Sequence, residues 1–273
     1  MSKKRILNIT SRKKRNGMLT MTNANDAGTV GNASNRIANL IVSNNSYRGI
    51  WIATAQDLVD GVGAGTRVSE AAARTATTCY MRGLGEHIRI QTSSGIPWFW
   101  RRICFTFKGA AFTQYDTRDT PILTDPINLR YQDSSNGMQR LFANEYLNNM
   151  PNTIDGEDDV IFKGRKSIDW SDPIIAPLDT SRITVKYDKT ITIKSGNDRG
   201  TVREFKLWHP MNKNLVYGDD EAGDNMTTVF RSVTSKAGMG DYYVMDVITP
   251  GSGAVTSDQL LLQSNSTLYW HEK

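Results

Sequence analysis

Pro97–Lys108, PWFWRRICFTFK, decides how this chain is read. With a period of two, Phe99, Ile103, Phe105 and Phe107 share one face, and Trp98, Trp100, Arg102, Thr106 and Lys108 share the other. This is a strand. Arg101 falls among the apolar set, which predicts an ion pair or a local irregularity there. On the N-terminal side, Thr78–Thr92 alternates around Gly83 and Gly85, with Ile88 and Ile90 opposite His87, Arg89 and Gln91. That pattern is a strand with a glycine bulge or bend. On the C-terminal side, Arg182–Lys194 alternates on both sides of Asp188 and Lys189, as in a hairpin or a long bent strand.

Val202–Trp208, Leu215–Tyr217, Tyr242–Ile248 and Leu260–Trp270 read as further strands, with Arg36–Val42 and Val160–Phe162 as shorter ones. Met138, Leu141, Phe142, Glu145, Tyr146 and Met150 fit a short helix within Gly137–Met150, stopped by Pro151. Roughly eight strands without βαβ alternation predict an all-β chain, a sandwich or barrel of antiparallel sheets with long connections. No internal repeat of fixed period is visible.

Composition describes a folded protein: 273 residues, 38% apolar and 22% charged. Two cysteines, Cys79 and Cys104, read as small buried residues of two strands. No apolar segment follows the basic start and no run approaches a membrane span, so the chain is expected to be made and used inside a cell, with no membrane partner.

Charge is unevenly distributed. The opening MSKKRILNITSRKKR (Met1–Arg15) holds Lys3, Lys4, Arg5, Arg12, Lys13, Lys14 and Arg15, and no acid precedes Asp26. The chain has 33 basic and 28 acidic side chains, so setting these seven aside leaves 26 against 28. A basic arm on a near-neutral body predicts a polyanion partner held by the arm. Arg12, Lys13, Lys14 and Arg15 also form a candidate nuclear-import signal. The Asn-, Thr- and Gly-rich stretch that follows has the composition of a mobile linker or of an extended segment lying over other surfaces, giving an arm and linker over residues 1–45 and a body over 46–273. A second candidate contact is Trp98, Trp100 and Arg102, whose rings and guanidinium could stack unpaired bases; burial in the core or a subunit interface is the competing reading.

Catalytic signals are sparse. His87, His209 and His271 are far apart and the cysteines are unpaired, so neither a metal site nor a cofactor is expected. Gly61, Gly63 and Gly65 lack the dinucleotide-binding spacing. Tyr217–Asp220, YGDD, imitates a polymerase metal turn but reads as an acidic β-turn. Glu157, Asp158, Asp159, Asp219, Asp220 and Glu221 read as solvated loop charge, with a divalent cation or a neighbouring copy's basic patch as alternatives. The chain is not expected to be an enzyme.

Five blocks, KKRILNITSRKKR (Lys3–Arg15), PWFWRRICFTFKG (Pro97–Gly109), LWHPMNKNLVYGDDE (Leu207–Glu221), GMGDYYVMDV (Gly238–Val247) and STLYWHEK (Ser266–Lys273), together resemble the capsid proteins of genomoviruses, small circular single-stranded DNA viruses related to geminiviruses. The resemblance implies a single eight-stranded antiparallel jelly roll with long loops, one short helix and a basic N-terminal arm. It further implies assembly with other copies of itself into a small icosahedral, T=1-like shell of about sixty subunits. Circular single-stranded DNA would be packaged on Lys3, Lys4, Arg5, Arg12, Lys13, Lys14 and Arg15. The expected locations are the virion and, during assembly, the host nucleus, with a host import receptor as a further partner. Many relatives carry a longer arginine-rich segment upstream of the first block. The alternative is a single-stranded nucleic-acid-binding protein with a β-barrel body that does not assemble.

Overall fold

A computed structural model describes residues 10–29, 31–58, 70–123, 130–134, 136–223 and 225–272. In chain order its strands are β1 (Arg12–Met18), β2 (Thr20–Ala24), β3 (Gly31–Ile37), β4 (Leu40–Val42), β5 (Tyr47–Ile52), β6 (Thr78–Thr92), β7 (Trp98–Phe107), β8 (Gln132–Ser134) and β9 (Gly137–Phe142). The helix α1 (Pro151–Ile161) follows. Then come β10 (Thr184–Ile193), β11 (Val202–Val216), β12 (Asp220–Ala222), β13 (Asn225–Thr227), β14 (Asp241–Pro250) and β15 (Leu260–Glu272).

From β4 onward, eight strands pair in nested antiparallel order: β4 with β15, β5 with β14, β6 with β11, and β7 with β10. The pairs β15–β6 and β14–β7 join these into two sheets. The first runs β1-β15-β6-β11, with β4 also on β15, and the second runs β10-β7-β14-β5. A smaller sheet, β3-β2-β9-β8, contains one parallel pair, β2 with β9.

The two large sheets face each other across a core divided by charge. On the inner face of β6, Glu86 lies between Leu84 and Ile88; on β7, Arg102 lies between Trp100 and Cys104; on β14, Asp246 lies between Val244 and Ile248. All nine side chains are buried. Arg102 binds Asp246 through Nε and Nη2, at 2.8 Å each, and also bonds Glu86. Arg140 of β9 reaches Glu86 at 3.1 Å and Asp246 at 2.9 Å, while Trp100 Nε1 donates to Asp246 at 2.8 Å. One apolar cluster lies on one side of this layer (Ile88, Ile90, Trp98, Trp100, Ile248, Leu260, Leu262) and another on the other (Met81, Leu84, Cys104, Val244, Leu268, Trp270). Two guanidiniums against two carboxylates balance, which is what makes burial of the set tolerable.

The outer face of the second sheet is covered as well. Arg48 of β5 bonds Glu145, Glu157 and Asp158, and Arg130 bonds Glu145 and Glu157, which clamps α1 onto this face. Arg101, on the same face, binds Asp188 and the carbonyls of Pro173 and Ala176. The ion pair expected at Arg101 is therefore present. Buried on both faces, β7 carries aromatic and aliphatic residues on both, as a central strand must.

The chain differs from its sequence reading in several places. Gly137–Phe142 is a strand, since its backbone pairs with β2 and β8. The helix starts at Pro151 instead of ending there: at the first helical position the missing N–H costs nothing. Asp119 caps it, accepting from Asn152 N and Thr153 N at 3.0 and 2.7 Å. Val160–Phe162 closes that helix and is no strand. Arg182–Lys194 resolves to one strand with a bulge between Val185 and Tyr187. Val202–Trp208 and Leu215–Tyr217 belong to one strand, β11, which passes Pro210 with a register shift; an edge strand tolerates the missing donor.

Within the segment read as arm and linker, β1 and β4 pair with β15 and β2 pairs with β9, and Met18, Met21, Ala24, Leu40 and Val42 are buried. The unpaired edge of β15 supplies the backbone partners that hold β1 in place. Lys3, Lys4, Arg5, Gly61, Gly63 and Gly65 lie outside the described residues.

Candidate nucleic-acid interface

With α1 and its loops on the second sheet, the open surface is the outer face of the first. Register places its residues in rows, because directly opposed residues of antiparallel strands share a face. Lys13 lies opposite His271, which lies opposite Tyr80 and then Asn214. Arg15 lies opposite Tyr269, then Gly83 and Pro210; Gly17 lies opposite Thr267, then Gly85 and Trp208. Asn265, His87 and Lys206 form the next row, and Gln263, Arg89 and Glu204 the one after. Arg82 is the extra residue at the bulge opposite Tyr269 and Trp270.

Lys13, Arg15, Arg82, Arg89 and Lys206 are all exposed. The partners of the two arginines on β6 are neutral: Arg82 donates to Asn212 at 2.6 Å and Arg89 to Gln263 at 2.8 Å. Among the described strand positions on this face the acid is Glu204, 3.6 Å from His87. Partial burial, then Arg82 and Lys13, hold the His271 imidazole below its ordinary pKa. Positive charge therefore gathers at the end of the face where β1 lies.

Aromatic rings are interleaved with these cations. Trp208 is 51% exposed, and its ring centroid is 5.8 Å from that of Tyr269 at 56°. A Cβ on Gly83 would come within 2.7 Å of the Trp208 ring, so the glycine clears the sheet beneath it. Tyr80 and His271 are 6.2 Å apart. Two shallow depressions flank this centre, one of about 310 Å³ lined by His87, Arg89, Glu204 and Gln263, the other of about 360 Å³ lined by Tyr80, Lys213 and Met239. Cations along a groove beside exposed rings form the arrangement used by proteins that bind single strands.

The expected contacts divide sharply against this surface. Arg12, Lys13 and Arg15 are exposed on β1, but Lys14 is buried. Its ammonium bonds the Glu70 and Ala73 carbonyls at 3.0 and 2.6 Å and pairs with Glu272 at 3.5 Å. Lys14 is therefore a structural cation of the folded chain, and a receptor for Arg12–Arg15 would meet three charges of the four. Trp98 and Trp100 are completely buried and Arg102 nearly so, which removes them from any contact with bases. Alternation alone left both readings of these three standing, because it carries no information about which face another sheet covers.

The acidic groups also sit differently from the solvated loops expected. Glu157 and Asp158 are buried under Arg48, and Asp219 holds Arg74 through both oxygens, at 2.9 Å for one of them. That arginine lies 3.8 Å from the Tyr217 ring centroid, so the YGDD turn is a structural arginine clamp. Asp220 and Glu221 remain exposed. Among the described residues no group of histidine, cysteine and carboxylate side chains could hold a metal ion.

Cys104, His209 and Glu86 form a sequence of Sγ to Nδ1 at 3.7 Å and Nε2 to carboxylate at 3.5 Å. The order resembles that of a nucleophile, base and orienting acid. Burial is complete around the thiol and raises its pKa well above the ordinary value, so it stays protonated and out of reach of a substrate. No protein-family model and no curated protein matches the sequence.

Proposed function

We propose that the chain is a viral capsid subunit: a single jelly roll that assembles with copies of itself into a small closed icosahedral shell and packages circular single-stranded DNA. The observation that carries this reading is the nested pairing of eight strands, first with last and so on inward, into two packed sheets. That is the strand order of a chain folded into one long hairpin and then rolled, and jelly rolls recur in capsid shells. It agrees with the fold implied by the resemblance to genomovirus capsid proteins.

DNA contact is assigned to the exposed cations of β1 (Arg12, Lys13 and Arg15), to the adjoining basic face, and to Lys3, Lys4 and Arg5 upstream. Such contacts follow phosphates without regard to sequence, releasing counterions. The subunit acts in the virion, and in the host nucleus during assembly. Sedimentation and electron microscopy of the purified chain at moderate salt, with and without single-stranded DNA, test the proposal. Uniform closed particles are expected. Monomers alone under both conditions would overturn it in favour of a binding protein that does not assemble.

A further inference from the structure

We infer that Trp208, supported by Tyr269, is a base-stacking platform that gives the open basic face a preference for unpaired over duplex nucleic acid. The inference rests on the proposed binding of single-stranded DNA and deepens it, since phosphate contacts alone do not distinguish a single strand from a duplex of equal charge density.

Three features carry it. Trp208 leaves half of its surface in solvent on a strand whose next residue, His209, is buried. Gly83 and Gly85 lie beneath the ring, where a Cβ would come within 2.7 Å at Gly83 and 3.6 Å at Gly85. The 56° tilt between Trp208 and Tyr269 leaves the two rings unstacked on each other, so neither covers the other's face, and the half of Trp208 in solvent is available to a base. Cations surround the pair: Arg15 lies opposite Tyr269, Lys206 shares the face of β11 two residues from Trp208, and Arg82 and Arg89 lie along β6. A strand whose phosphates follow these cations passes its bases over the rings. A duplex, with its bases already stacked, would have to give up that stacking to do the same.

The test measures binding of the full chain to three probes by fluorescence anisotropy at fixed salt: oligodeoxythymidylate of about 20 nucleotides, an abasic strand of equal length, and a duplex of equal length. Trp208→Ala is expected to weaken oligodeoxythymidylate binding about tenfold, to leave the abasic strand and duplex within about twofold, and to be rescued largely by Trp208→Phe. Equal weakening on all three probes, or no change on oligodeoxythymidylate, would overturn the platform. If the wild type binds none of the three, the DNA-binding reading itself fails. If Trp208→Ala changes the sedimentation of the protein and leaves oligonucleotide affinity intact, the face is a contact between copies and the platform is wrong.

Discussion

Glu86 is bonded by two arginines from two different sheets and lies midway through the sandwich. Glu86→Gln leaves Arg102 and Arg140 sharing the single charge of Asp246, and urea denaturation is expected to register a loss of about 3–5 kcal/mol. Burial opposes ionisation of Glu86, but Arg102 and Arg140 outweigh it and hold the carboxyl far below its usual range; Asp246 is lowered likewise. Groups lowered in the folded state stabilise it fully above their unfolded values, near 4.5 and 3.8, and lose that contribution only as pH falls through the lower folded ones. Asp241 has the opposite sign. Burial pushes it up to about 6 despite the hydrogen bonds from Ser232, so the folded state holds a proton that the unfolded chain has released. Stability is expected to rise as pH falls from above 6 towards 4, by on the order of 2–3 kcal/mol. Asp241→Asn should flatten that rise and raise the melting temperature at pH 7.5 or so; an unchanged thermal profile between pH 7.5 and 5 would count against the assignment. These residues show why charge was poorly legible in the sequence. Arg48, Arg74, Arg101, Arg102, Arg130 and Arg140 are inside the protein, so counting charges along the chain could not reveal which remain at the surface.

Strand β1 is the element whose role changed most between sequence and structure. Its basic residues read as a mobile arm, yet every residue of Arg12–Met18 is in register with β15. Deletions that stop before Arg12 leave β1 and its pairing with β15 in place. Removal through Met18 uncovers Trp270 and Leu268 and strips Lys14 from Glu272, a carboxylate that also receives Trp270 Nε1 and Thr75 N. That longer deletion should lower the unfolding free energy measured by urea denaturation by roughly several kcal/mol. Strand positions were legible where alternation was long and unbroken, as in β6, β7, β10, β14 and β15. Gly137–Phe142 was missed because its apolar spacing also fits a helical face, and only the pairing with β2 and β8 selects the strand. Of the candidate face, the cations of β1 could be read in the sequence, whereas Trp208 was read only as part of a strand, and Trp98 and Trp100 lie in the core, the alternative weighed for them. Trp100 and Trp208 occupy similar alternating strands, and what separates them is that Trp100 lies between the two packed sheets while Trp208 lies on the outer face of the first.

For the whole molecule, the open face makes a quantitative demand on binding. If Lys13, Arg15, Arg82, Arg89 and Lys206 all engage a single strand, log K against log salt should fall with a slope of about −3.5, steepened by any contact from upstream cations. Arg82→Gln should make that slope shallower by about 0.7, and fluorescence titrations at several salt concentrations would show an unchanged slope if the face were not used. The nested pairing also orders the molecule in time. β15 is flanked by β1 and β4 on one side and β6 on the other, so the first sheet cannot be completed until β15 has emerged from the ribosome. At typical translation rates the roughly 220 residues between β4 and β15 take on the order of 10–40 s to synthesise, during which β1 and β4 have no edge to join. The backbone of the basic N-terminal strand is therefore unpaired on every nascent chain and paired with β15 in the finished fold, where Arg12, Lys13 and Arg15 stay exposed. A partner that recognises the strand by its extended backbone has its clearest opportunity during translation, before that edge closes.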